Sequence, residues 1–217
     1  MSTFGRERRT FKAMSALPSI DHLYPYVVPS GHVQQIPADQ PSWPLGPDTA
    51  VVLVWDIDGV GRGVSLSDLA ASGLSRDEGF DHAVENLMLA VRTRDIQTRE
   101  LAGPDGSPAV LLVSGHWLSA TTLLIPSLYL RAASLLGTPK ILASIPERGV
   151  LLAFAEGDAS SREAWRSRVR KAISEAERPI TDRFFRLTPD GPEPFDEMTD
   201  LIFSATDAVR RREAVVA

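Results

Sequence analysis

Two connections constrain the fold of this chain more than any other feature. Ile96–Leu101 and Ala109–Ser114 are strand-like runs flanking the turn sequence Gly103-Pro104-Asp105-Gly106, and Ile141–Ile145 is joined to Val150–Ala155 through Pro146-Glu147-Arg148-Gly149. Neighbouring parallel strands need a crossover of a dozen residues or more, so links this short make each pair antiparallel. A third apolar run, Ala50–Ile57, ends at Asp58-Gly59, a strong hairpin signal, with Gly63–Leu66 placed to pair back on it. Together these pairs predict an α+β fold, with a largely antiparallel sheet built from hairpins and helices packed on one face.

Helical spacing fills the intervals. Ser75 and Glu78 have the spacing of a capping box, and Phe80, Ala83, Val84, Leu87 and Val91 follow along one apolar face. Ser65 and Ser67 are placed to cap a short helix over Asp68–Ser72. A longer helix is expected from Ser119 to Leu136 with Gly137 ending it, and Pro126 either kinks it or marks a delayed start. Ser160–Glu177 reads as a charged amphipathic helix, Phe184–Leu187 as a last short strand and Phe195–Arg212 as a terminal helix. Residues 1–48 carry seven prolines (18, 25, 29, 37, 41, 44 and 47) and read as an irregular N-terminal arm, with Leu23–Val28 as a short edge strand. Residues 49–217 read as a single domain.

Composition removes several classes of function. There is no cysteine, which excludes disulfides and thiolate metal sites and fits a reducing, cytoplasmic setting. The formal charge of −5 repels phosphate backbones, so nucleic acid is not an expected partner. Leu118–Leu136, the longest apolar-rich run, is broken by Pro126 and Arg131 and does not read as a membrane span. No apolar run follows Arg6, Arg8 and Arg9, so no signal peptide is expected.

One segment points toward catalysis. Val51-Val52-Leu53-Val54-Trp55-Asp56-Ile57-Asp58-Gly59-Val60 resembles the nucleophile segment of haloacid-dehalogenase-type phosphatases. Side chains two apart on an extended strand share a face, so both carboxylates can address one phosphate beside a magnesium ion. That resemblance implies Asp56 as nucleophile and Asp58 as general acid. Ser114 ends a second strand, Lys140 is placed to neutralise phosphate, and Asp56 and Asp158, with Glu163 in reserve, are the metal-ligand candidates. Such a fold needs parallel strands, which the short connections oppose, and Asp58-Gly59 is explained by turn chemistry alone.

A broader resemblance covers Gly61 to about Phe195. Val64-Ser65-Leu66-Ser67-Asp68-Leu69, Gly73-Leu74-Ser75, Ala83-Val84-Glu85-Asn86-Leu87, Ala143-Ser144-Ile145-Pro146-Glu147-Arg148-Gly149-Val150-Leu151-Leu152, Pro179-Ile180-Thr181 and Pro189-Asp190-Gly191 occur in order. In this order they resemble the YtpQ-like family of bacterial proteins, a domain of unknown function. Gly149 departs from the pattern, because the family often carries Asp there. The resemblance implies a fold and no reaction.

The remaining constellations have plain structural readings. His22, His32, His82 and His116 show no metal-ligand spacing. Gly59, Gly61 and Gly63 form G-x-G-x-G, which is not the dinucleotide fingerprint and reads as a sharply turned hairpin. Arg162, Arg166, Arg168, Arg170 and Lys171 can pair with Glu163, Glu175 and Glu177 while Trp165 packs inward. No P-loop or G-x-S-x-G is present. The expectation is a non-catalytic domain without a cofactor that contacts another protein, with Trp43 and the arm as contact elements. The alternative is a magnesium-dependent phosphohydrolase.

Overall fold

The computed structural model of the chain describes residues 17–33, 35, 38–93, 96–102 and 108–196. Leu23–Pro29 forms strand β1, Ser30–Val33 is a single helical turn, α1, and Ser42–Gly46 forms β2. The β-branched run Thr49–Ile57 forms β3, and Val60–Gly63 returns as β4. β1, β2 and β4 all pair antiparallel with β3, giving a four-stranded sheet. Alternation along β3 divides its side chains between two faces. Val51, Leu53 and Trp55 join Leu23 and Val27 on one, whereas Ala50, Val52 and Val54 join Tyr24, Tyr26 and Val28 on the other.

Where it is described, the proline-rich arm is therefore part of the sheet, because β1 and β2 both lie within it. β1 is an edge strand, as its sequence suggests, and its free edge is closed chemically. Val27 N–H donates to Thr121 Oγ1 at 3.3 Å, and Leu23 C=O accepts from Asn86 Nδ2 at 2.9 Å. Pro25 and Pro29, of the same parity as Val27, have no N–H to offer a foreign strand.

Helices α2 (Leu66–Ala71) and α3 (Arg76–Arg92) both begin with capping boxes, Ser65 with Asp68 and Ser75 with Glu78. The α3 residue Ala83 packs with Leu53 and Trp55, and Leu87 reaches the core shared with the second sheet. That sheet contains β5 (Gln97–Ala102), β6 (Pro108–Ser114), β7 (Ile141–Glu147), β8 (Val150–Ala155), β9 (Phe184–Thr188) and β10 (Gly191–Pro194). Its order is β10-β9-β7-β8-β6-β5, antiparallel throughout.

Before β7 the chain makes a 3-10 turn at Ala120–Leu124 and then α4 at Pro126–Leu136. Pro126 thus marks a delayed start, since its missing N–H costs nothing in the first turn. Gly137 closes α4 in the left-handed conformation at φ 64°. Helix α5 covers Ala159–Glu175.

The α+β class and the antiparallel, hairpin-built character hold, with the strands divided between two sheets. The larger sheet is covered on both faces. Leu128 and Ala132 of α4 pack with Leu111, Ile141, Ala143 and Ala153, whereas Val169 of α5 packs with Val110, Leu142, Phe154 and Phe184 on the opposite face. The Gly103–Gly106 turn lies outside the described residues. Phe195 and Asp196 are not helical, and the rest of the expected terminal helix lies outside the described residues. Among the described residues no helix is long and apolar enough to cross a membrane.

Candidate functional site

The Asp56–Asp58 segment turns straight back on itself. Asp58 (φ 53°) and Gly59 (φ 80°) are both left-handed, the backbone of a two-residue hairpin turn with Ile57 opposite Val60. Asp56 Oδ1 accepts the Gly59 N–H at 2.9 Å, so this carboxylate fastens the turn, and Asp58 is exposed at its tip. Ser114 pairs with Val150 at the start of β8, while Lys140 immediately precedes Ile141, which pairs with Ala155 at the end of β8. Lys140 C=O accepts from Glu156 N–H, so Ser114 and Lys140 are six strand residues apart along the sheet, about 20 Å.

Asp158 lies beyond that far end and caps α5, accepting Ser161 N–H at 2.7 Å. Bonds from the Ser161 amide and hydroxyl hold its carboxyl below the ordinary aspartate value. Glu163 pairs with Arg166 at 3.1 Å. The six phosphatase candidates are not brought together. Parallel strands would deliver their C-terminal ends to one edge, and antiparallel strands deliver them alternately to two. Among the described residues no three histidine or carboxylate side chains are grouped to hold a metal.

Other expected positions have work inside the fold. Trp43 is half-buried, its ring 4.7 Å from Phe80 and covered by the Arg76 guanidinium at 4.5 Å, so it joins β2 to α3 and is not a free contact element. Trp165 stacks on Phe154 at 4.6 Å. Around it Arg170 meets Asp182 at 3.4 Å and Lys171 meets Glu175 at 4.0 Å. His116 Nδ1 accepts Leu118 N–H, and His82 lies 3.7 Å from Glu85. Gly61 and Gly63 share one face of β4. A Cβ at Gly61 would lie 3.6 Å from the Trp117 ring, and one at Gly63 would lie 2.8 Å from Gln40 Oε1. The spaced glycines thus let two side chains lie on the strand.

That packing builds a cleft of about 290 Å³, lined by Tyr26, Val54, Gly59, Val60, Gly61, Trp117, Arg148 and Arg178. Trp117 follows β6 and meets Tyr26 at 5.5 Å and Tyr24 edge-on at 6.4 Å. Arg148 occupies the β7–β8 turn, whose carbonyl accepts Ala120 N–H at 3.1 Å and so ties it to the loop bearing Trp117. Glu147 bridges antiparallel to Pro179, and Ile180 N–H donates to Pro146 C=O at 2.9 Å. Each arginine is one residue out from that bridge, so the backbone sets Arg148 and Arg178 side by side. Neither has a carboxylate partner among the described residues.

Sequence reasoning missed this cleft. Its one local signal is the alternation of Tyr24, Tyr26 and Val28, since Trp117 and the two arginines come from three separate loops. No protein-family model, curated protein or solved structure matches the chain.

Proposed function

We propose that the chain is a non-catalytic binding domain that contacts another protein, and that the cleft between Trp117 and the Arg148–Arg178 pair is the point of contact. The observation that carries this reading is the state of those side chains. Half-buried aromatics and two arginines with no carboxylate partner among the described residues line one concave place, the combination that dominates binding energy at interfaces. A photo-crosslinking residue at Val60, a rim position 67% exposed, tests it in living cells, with the same probe at Leu130 on α4, 64% exposed, as control. A defined protein adduct at position 60, absent at position 130 and lost on Trp117→Ala, is the expected result. Equal background at both positions removes the proposal.

We further propose a bacterial, cytoplasmic protein and a divergent member of the YtpQ-like family, supported by motif order over Gly61–Phe195 and by the absence of cysteine. The departure at Gly149 is compatible with this. Gly149 has no positive φ, and a Cβ there meets nothing within 4 Å, so the site has room for the family's Asp. A family member whose strands ran in an order other than β10-β9-β7-β8-β6-β5 would remove this assignment.

A further inference from the structure

We propose that the cleft receives a flat aromatic ring bearing an oxyanion, carried on the partner protein. The ring lies against Trp117 and Tyr26, and the anion lies between Arg148 and Arg178. This rests on the reading that the cleft is a binding site, and it names the chemistry of the occupant.

Three observations converge on that chemistry. First, like charges set opposite one another are unfavourable, yet the Glu147–Pro179 bridge sets two arginines at opposed backbone positions, both lining the cleft, on a molecule whose formal charge is −5. An oxyanion reverses the sign of that interaction, and planar guanidinium forks match carboxylate and phosphate oxygens. Second, the rest of the lining is largely aromatic and apolar: Trp117 meets Tyr26 with the rings tilted by 53°, and Val54 and Gly61, which has no side chain, lie beside them. Aromatic faces reward a ring.

Third, about 290 Å³ lies at the small end for ligand sites, enough for one ring with a compact anion and too little for a polymer. Among the described residues no carboxylate lines the cleft, which separates it from a cation site. Asp56 shares the β3 face of Val54, but its Oδ1 is engaged by the Gly59 amide.

Titration calorimetry of the full chain tests the inference with phenyl phosphate, inorganic phosphate and phenol as probes. Phenyl phosphate is expected to saturate one site, with the other two binding at least about tenfold more weakly. Arg148→Gln and Arg178→Gln should each weaken phenyl phosphate about tenfold, the scale of one charge-assisted hydrogen bond, and leave phenol unchanged. Gly61→Val, allowed by the strand backbone, crowds the Trp117 ring that packs on this glycine and should weaken phenyl phosphate and phenol alike. Circular dichroism checks that each variant folds.

A phosphotyrosyl tripeptide that binds more tightly than phenyl phosphate supports a protein source; one that binds more weakly overturns that source. No saturation by phenyl phosphate, or affinity indifferent to both arginines, overturns the proposal outright. If the Val60 adduct persists in that case, contact with a protein survives and only the occupant's chemistry is wrong.

Discussion

Two of the places that carry arginine beside tryptophan have opposite bonding states. On α5, Trp165 stacks on buried Phe154, Arg166 and Arg170 both meet Glu163, and Arg170 also reaches Asp182. In the cleft, Trp117 is only half-buried, and Arg148 and Arg178 lack carboxylates among the described residues. The same residue types thus serve the fold in one place and stand open in the other. What separates them is whether the backbone geometry presents an acid to the arginine, since Glu147 and Glu177 adjoin Arg148 and Arg178 in sequence without pairing with them. A helix places Glu163 one turn from Arg166, whereas the Glu147–Pro179 bridge places arginine beside arginine.

The sharpest test of this contrast is truncation of the aromatics. Phe154 is fully buried between Trp165 and Phe184, so Phe154→Ala should lower stability by about 3–5 kcal/mol in urea denaturation. Trp117→Ala removes a half-buried ring and should cost roughly 1–2 kcal/mol, while abolishing cleft binding. Equal losses would break the contrast and make Trp117 a core residue.

The hairpin turns should differ next. Gly59 sits at φ 80°, where a Cβ is strained, so Gly59→Ala should cost about 1–2 kcal/mol. Gly149, in the turn beside Arg148, has neither positive φ nor close neighbours, and Gly149→Asp should change stability by less than about 0.5 kcal/mol. A large loss at Gly149 would mean that the arginine-bearing turn is as tightly specified as the aspartate-bearing one.

Helix caps add a pH dependence that belongs to the fold and not to the cleft. The Ser75 amide and hydroxyl hold the Glu78 carboxyl below the ordinary glutamate value. A depressed folded value means the contribution is complete above the unfolded value and is lost as pH falls through the folded one. Ser75→Ala should cost about 1 kcal/mol at neutral pH. Thermal melts below the ordinary glutamate range should show the wild-type advantage shrinking, and an advantage that grew with acid would contradict the assignment.

Charge removal is a smaller and more diagnostic change. Glu163→Gln breaks exposed pairs with Arg166 and Arg170 and should cost at most about 1 kcal/mol. Arg148→Gln and Arg178→Gln break no ion pair among the described residues and remove one of two like charges at opposed backbone positions, so thermal midpoints should stay level or rise slightly. A fall matching that of Glu163→Gln would show that these arginines have a partner after all.

Much of this fold is legible in local sequence, because tight turns fix pairing direction and capping residues fix helix starts. Asp58-Gly59, Pro146–Gly149, Ser75 with Glu78 and Gly137 each declare their role within a few residues. The arm is less legible. Pro25, Pro29 and Pro44 lower strand propensity, yet each lies in an outer strand beside β3, where tertiary pairing overrides it. The candidate site is not legible locally, since Tyr26, Trp117, Arg148 and Arg178 meet only after both sheets pack.

Asp56→Asn has the smallest expected effect and tests the turn chemistry most directly. If Asp56 serves only the turn, its duty is to accept the Gly59 N–H at 2.9 Å, and an asparagine carbonyl accepts that bond as well. Stability should then change by less than about 0.5 kcal/mol. Phosphate-ester assays with magnesium should give the same baseline for both proteins, because Ser114 and Lys140 lie at opposite ends of β8 and Asp56 is in another sheet. Turnover in the wild type that Asp56→Asn abolishes would require those groups to converge. Antiparallel pairing of β6, β7 and β8 cannot deliver that without re-pairing the larger sheet.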